Sequence, residues 1–251
     1  MEPQNHGDVQ VTEEKLMGIV LNTLWNFGIA TFDGSSLYVP DTGILKPDIK
    51  LLAREMRHGN KNWQNLHVPA EKGQLSLGSS HLVTTRFNRG DWSIEGVITY
   101  LVKSRQLDRV KAELMNERPE ITELEADSAI SYSLYIVAKG WLAERQLSTL
   151  SERYVKMSET HDKGGIDFID SQKDGEFMSE DSRIQLRSWR HGYDIRNGTK
   201  YDEKGNKLLF WAWHNGQLFT STNWKTLCDL KRRSFTREEI ARNWEVEITD
   251  F

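Results

Sequence analysis

Apolar residues recur at helical spacing in several separate stretches before position 157 and then change to a spacing of two. Val11, Leu16, Ile19, Val20, Leu24 and Trp25 predict a helix within 9–27, with Thr12-Glu13-Glu14 as its acidic start. Pro47 opens a helical pattern that runs to Met56 and stops at Gly59, and residues 60–90 read as irregular. Asp91 or Ser93 can cap a helix carrying Ile94, Val97, Ile98 and Leu101, and Leu107–Met115 reads as another. The longest periodic stretch is Ile121–Arg145, followed by a separate helical pattern over Leu147–Met157.

After Gly164-Gly165 the period becomes two. Ile166–Asp170 and Arg183–Trp189 both alternate as strands do. Leu208–Trp213 and Leu218–Thr220 flank Asn215-Gly216, a strong hairpin signal. A capping box at Thr236 and Glu239 predicts one further helix. The expected organisation is a disordered tail over 1–8, a mainly helical region over 9–120 and an α/β region over 121–251 that would carry the catalytic site. The last two are separate regions or one continuous domain. The expected class is α/β in the broad sense, more narrowly α+β, with a mixed sheet flanked by helices.

Composition narrows the options. Of 251 residues, 37% are hydrophobic and 28% charged, which excludes a collagenous or wholly disordered chain. The single cysteine, Cys228, excludes an internal disulfide and a CxxC site. No apolar run approaches the ~20 residues of a membrane span, and residues 1–14 are polar, so a soluble cytoplasmic protein is expected. The net charge of −4 hides an asymmetry. Residues 147–181 carry nine acidic and four basic side chains, and residues 182–233 carry four acidic and eleven basic. Carboxylates beside a basic segment suit a metal-dependent enzyme acting on a polyanion; a surface of mixed charge is the plainer alternative.

The candidate chemistry sits where the period changes. Antiparallel strands at 166–170 and 183–189 can bring Asp167 to the Gln185/Arg187 pair, which share a face because side chains alternate. A hard cation such as Mg²⁺ takes oxygen ligands and keeps several waters, so one carboxylate, one amide oxygen and a carbonyl suffice. Arg187 would then offset charge developing on a phosphate. Each residue also has a structural alternative: Asp167 and Asp170 as a strand-end pair holding loop backbone, Gln185 as an edge position, Arg187 as an ion-pairing arginine.

Gly165-Ile166-Asp167-Phe168-Ile169-Asp170 followed by Ile184-Gln185-Leu186-Arg187-Ser188 resembles the PD-(D/E)xK nucleases. The closer likeness is to type II restriction endonucleases in which Gln replaces the acidic member. Arg196–Thr199 and Thr222–Leu227 also resemble segments that follow the catalytic strand in such enzymes. The resemblance spans 147–230 and implies a mixed-sheet nuclease core. Asp167 and Gln185 would hold Mg²⁺, and Arg187 stands where the family usually has lysine. That departure leaves three options: a lysine from elsewhere (Lys163 or Lys173 are nearest), a working arginine, or an inactive copy. Glu152 is a candidate further carboxylate, placed on the preceding helix.

Arg190, Arg196, Asn197, Thr199, Lys200, Asn223 and Lys225 are the candidate DNA contacts, since arginine reads guanine, asparagine reads adenine, and lysine and threonine hold phosphate. The tryptophans of the 208–220 hairpin are assigned to the core. The expected function is Mg²⁺-dependent, sequence-specific cleavage of double-stranded DNA, by a homodimer if the target is palindromic. A non-catalytic DNA-binding protein with a degenerate nuclease fold, and a nuclease acting on RNA, stand as alternatives.

Overall fold

In a computed structural model of the chain, the structure describes residues 11, 13–29, 93–157, 166–173, 179–188, 200–214, 217–232 and 247–249. Among the described residues the elements are five α-helices, a short 3-10 helix (Glu180–Ser182) and a six-stranded mixed sheet, an α+β architecture. The helices are α1 (Glu13–Asn26), α2 (Ile94–Lys103), α3 (Gln106–Glu117), α4 (Glu123–Leu150) and α5 (Trp224–Arg232). The strands are β1 (Tyr154–Lys156), β2 (Phe168–Asp170), β3 (Arg183–Ser188), β4 (Lys207–His214), β5 (Gln217–Ser221) and β6 (Glu247–Thr249). The predicted helix at 47–56 and the capping box at 236–239 lie outside the described residues. The chain divides into two compact units whose long boundary falls inside α4, between Trp141 and Leu142.

The first unit is helical. Ser93 caps α2 by accepting the Gly96 N–H, as its position before the apolar run predicts. Arg105, in the left-handed region at φ 55°, turns the chain into α3. Thr122 and Glu125 form a reciprocal capping box that starts α4. Lys111 of α3 pairs with Asp127 of α4 at 3.0 Å. Of the apolar positions the sequence shows, Leu16, Val20 and Leu24 on α1, Ile94, Val97, Ile98 and Leu101 on α2, and Ala129, Ile130 and Leu134 on α4 are buried, whereas Trp25 is 68% exposed and Ile136 and Val137 are half-buried.

The second unit holds the sheet, whose spatial order follows the chain from β1 to β6. All neighbours are antiparallel except β3 and β4, which run parallel with Gln185 opposite Leu208. The β4–β5 register sets His214 against Gln217, so a two-residue connection joins the hairpin, in line with the Asn215-Gly216 signal. On one face of β4, Leu208, Phe210 and Ala212 pack with Phe219 against Leu227, Leu230 and Trp224 of α5. On the other, the buried Trp213 donates its indole N–H to Gln146 of α4 at 2.7 Å. Trp211 and Trp213 are core residues, as expected.

One stretch departs from the sequence reading. There is no helix over 147–157. Helix α4 continues without interruption to Leu150, the chain bends, and Tyr154–Lys156 form the edge strand β1. Leu147, Leu150, Tyr154 and Met157 are spaced as helical neighbours, but main-chain pairing with β2 takes Tyr154 into the sheet.

Candidate active site

Strands β2 and β3 bring the predicted pair together. Asp167, one residue before β2, is 4% exposed, and so is Gln185 in β3. Asp167 Oδ2 accepts the Gln185 side-chain amide at 2.5 Å and the Leu186 backbone N–H at 2.6 Å. This contact follows from a local slip in pairing. Phe168 is the register partner of Ile184, yet the Ile184 carbonyl also accepts the Asp167 N–H at 2.9 Å. Such an offset interrupts the ladder and re-aims side chains. It leaves the Leu186 N–H for the Asp167 carboxylate. Among the described residues, Asp167 Oδ1 and Gln185 Oε1 carry no hydrogen bond.

Two residues not singled out from the sequence complete the cluster. Lys156 of β1 stands opposite Phe168 in the β1–β2 register, with its ammonium 4.8 Å from the Phe168 ring centroid. Its neighbour Met157 donates its N–H to the Asp167 carbonyl at 3.0 Å. From α4, Glu144 pairs with Lys156, Oε2 to Nζ at 2.8 Å. Both charged side chains are about one-quarter exposed or less, 24% for Glu144 and 21% for Lys156. Burial, and next the Glu144 carboxylate, raise the Asp167 carboxyl to about 8. The Lys156 ammonium, the Leu186 N–H and the Arg187 guanidinium pull the other way. Desolvation disfavours the ionised form, and a second carboxylate adds to that. At neutral pH the metal-free protein therefore holds Asp167 mainly as the neutral acid.

The helical carboxylate acting on Asp167 is thus Glu144, and the expectation that Glu152 comes from a helix is corrected. Glu152 is exposed in the bend after α4, where its carbonyl accepts the Ser171 hydroxyl at 3.3 Å. The helix ends two residues earlier, at Leu150. Glu144 carried no distinguishing signal: it lies in the charged run Glu144-Arg145-Gln146, which reads as a helix surface. Only the β1–β2 pairing makes it a neighbour of Asp167.

The remaining candidates fall into three groups. Arg187 is half-buried in β3, and its Nη1 donates to the Leu186 carbonyl at 3.2 Å. Asp170 takes the structural role considered for it: it is 1% exposed, accepts both Arg153 donors at 2.9 and 2.7 Å, and holds the Gln172 N–H. Asn223 precedes α5 and accepts the Lys225 N–H through its side chain, so it starts the helix; Lys225 and Lys200 are exposed. Lys173, one of the two lysines weighed as a replacement, donates its backbone N–H to the Asp170 carbonyl, and Lys163 lies outside the described residues. So do Arg190, Arg196, Asn197 and Thr199.

No protein-family model, curated protein or solved structure matches this chain.

Oxygen donors of the kind a hard divalent cation takes are present, although among the described residues no group of three or more His, Cys, Asp or Glu side chains is placed to hold one. A buried carboxyl with one open oxygen, an amide with an open carbonyl oxygen and a second carboxylate are the oxygen ligands such ions take. A raised carboxyl pKa is the expected state of a site whose positive charge arrives with the ion.

Proposed function

We propose that this chain is a Mg²⁺-dependent endonuclease that hydrolyses phosphodiester bonds in double-stranded DNA, of the restriction type. The reading rests on one observation above others: the Asp167–Gln185 contact at the start of β2, with Glu144 and Lys156 beside it. Asp167, Gln185 and Glu144 would hold the cation, which when bound lowers the pKa of a water and screens the phosphate charge.

The chain's own residues divide the remaining work by charge. Arg187 is fixed through its Nη1 on the Leu186 carbonyl, leaving the rest of its planar fork to pair with a phosphate. Lys156 supplies a compact ammonium on the Glu144 side. Basic residues of the 182–233 segment, Lys200 and Lys225 among them, would meet the DNA backbone and make binding salt-dependent. A homodimer would place two such sites across a palindrome.

Incubation with a broad panel of DNAs, in Mg²⁺ or in EDTA, tests the proposal. Discrete fragments that need Mg²⁺ and Asp167 support it. Salt-sensitive DNA binding indifferent to Mg²⁺ and to Asp167→Ala would replace it with the non-catalytic DNA-binding reading. Cleavage confined to RNA would move the substrate class.

A further inference from the structure

Lys156 is a cation already installed where the proposed metal would act. Its ammonium is 2.8 Å from Glu144 Oε2 and sits over the Phe168 ring. Its chain neighbour is tied to the Asp167 carbonyl. A divalent ion ligated by both Glu144 and Asp167 must compete with the ammonium already paired to the Glu144 carboxylate. It also brings two positive charges towards a third in a partly desolvated place, where charges interact more strongly than in water.

We infer that Lys156 is the site's resident counter-ion, which a divalent cation must displace from Glu144, so that the Glu144–Lys156 ion pair sets the metal concentration at which the site fills. This rests on the nuclease reading and adds its regulation. Without metal, the Lys156–Glu144 pair neutralises one carboxylate, and the buried Asp167 is satisfied by Leu186 and Gln185. The empty site is then stable on its own. With a cation on Glu144, the Lys156 ammonium would lose this carboxylate and could turn towards a phosphate. Gln185 Oε1, which has no hydrogen bond among the described residues and sits on a side chain 4% exposed, would be a third oxygen for the ion.

The experiment is Mn²⁺ titration by calorimetry on the full chain without DNA, for wild type, Lys156→Gln, Lys156→Met, Lys156→Arg and Asp167→Asn. Thermal melts in EDTA verify folding. Removing the ammonium should tighten Mn²⁺ binding by roughly tenfold or more, the scale of one unit charge a few ångströms away at a partly buried site. Lys156→Arg, which keeps the charge, should stay near wild type, and Asp167→Asn should abolish binding. Having both a glutamine and a methionine variant guards against one that fails to fold. Asp167-dependent Mn²⁺ binding that a folded, neutral Lys156 variant leaves unchanged or weaker would overturn the inference while sparing the nuclease reading. No Asp167-dependent binding by any variant at millimolar Mn²⁺ would overturn both.

Discussion

Asp167 and Gln185 meet through a single oxygen: Asp167 Oδ2 takes the Gln185 amide and the Leu186 N–H together, while Asp167 Oδ1 has no hydrogen bond among the described residues. One half of the carboxyl is committed to the sheet, and the other half is available for chemistry. Folding and function can therefore be separated by substitution.

Asp167→Asn keeps an oxygen for the Leu186 N–H and removes the charge a cation needs. Cleavage should fall below detection in a single-turnover assay, with DNA binding in Ca²⁺ largely intact. Chemical denaturation in EDTA should show stability equal to or above wild type, because the variant buries no carboxyl. Wild-type cleavage kinetics at saturating Mg²⁺ would remove Asp167 from the active site.

The same carboxyl fixes a pH dependence. The folded chain holds the Asp167 proton up to about 8, whereas the unfolded chain releases it near the ordinary value of 3.8. Between those values the folded state binds more protons, so this group's contribution falls as pH rises. Without metal, the stability gap between Asp167→Asn and wild type should widen from pH 4 to pH 8 in urea titrations. A gap constant across that range would contradict the raised value.

Asp170 works in the opposite sense. Burial pushes its carboxyl up, but the Arg153 pair outweighs that and holds it below its ordinary value. Its stabilisation is present at neutral pH and is lost as the pH falls below about 4. Asp170→Ala strips two charged donors and the Gln172 N–H of their acceptor, which should cost about 1–3 kcal/mol. Metal affinity should be unchanged, a split that calorimetry and denaturation can check on one variant.

Arg187 has two roles open to it, a catalytic cation or a DNA contact, and substitution separates them. As a catalytic cation, Arg187→Ala should slow single-turnover cleavage by ~10²-fold or more, and Arg187→Lys should retain appreciable activity. As a phosphate or base contact, alanine should weaken DNA binding by roughly 1–3 kcal/mol and spare the rate of bound DNA. An active alanine variant beside a dead lysine variant fits neither role.

Much of this fold was legible because its patterns are strong. Ser93 before Ile94 gave the α2 cap, and Leu208–Trp213 with Asn215-Gly216 gave the β4–β5 hairpin. The Asp167–Gln185 pairing followed from two alternating segments. β1 was hidden because three residues are too few to establish a period, and Tyr154 and Met157 continue the spacing of Leu147 and Leu150. α5 was hidden by its nine-residue length, and β6 by having only three residues. Glu144 and Lys156 were illegible for a different reason. A largely buried ion pair between a helix and an edge strand is defined by tertiary contact, and neither residue is unusual in its own segment.

The single parallel pairing in the sheet also orders events in time. The β4–β5 hairpin closes across two residues, whereas pairing Gln185 with Leu208 closes a much longer loop. Gln146 meets Trp213 across 67 positions and Val11 across 135. Local contacts form first and distant ones carry the loop-closure cost. The hairpin and α5 are thus the natural nucleus, and the cluster around Asp167 is assembled late. Substitutions in Phe210 or Leu227 should slow folding, and those at Glu144, Lys156 or Asp167 should act on the unfolding rate.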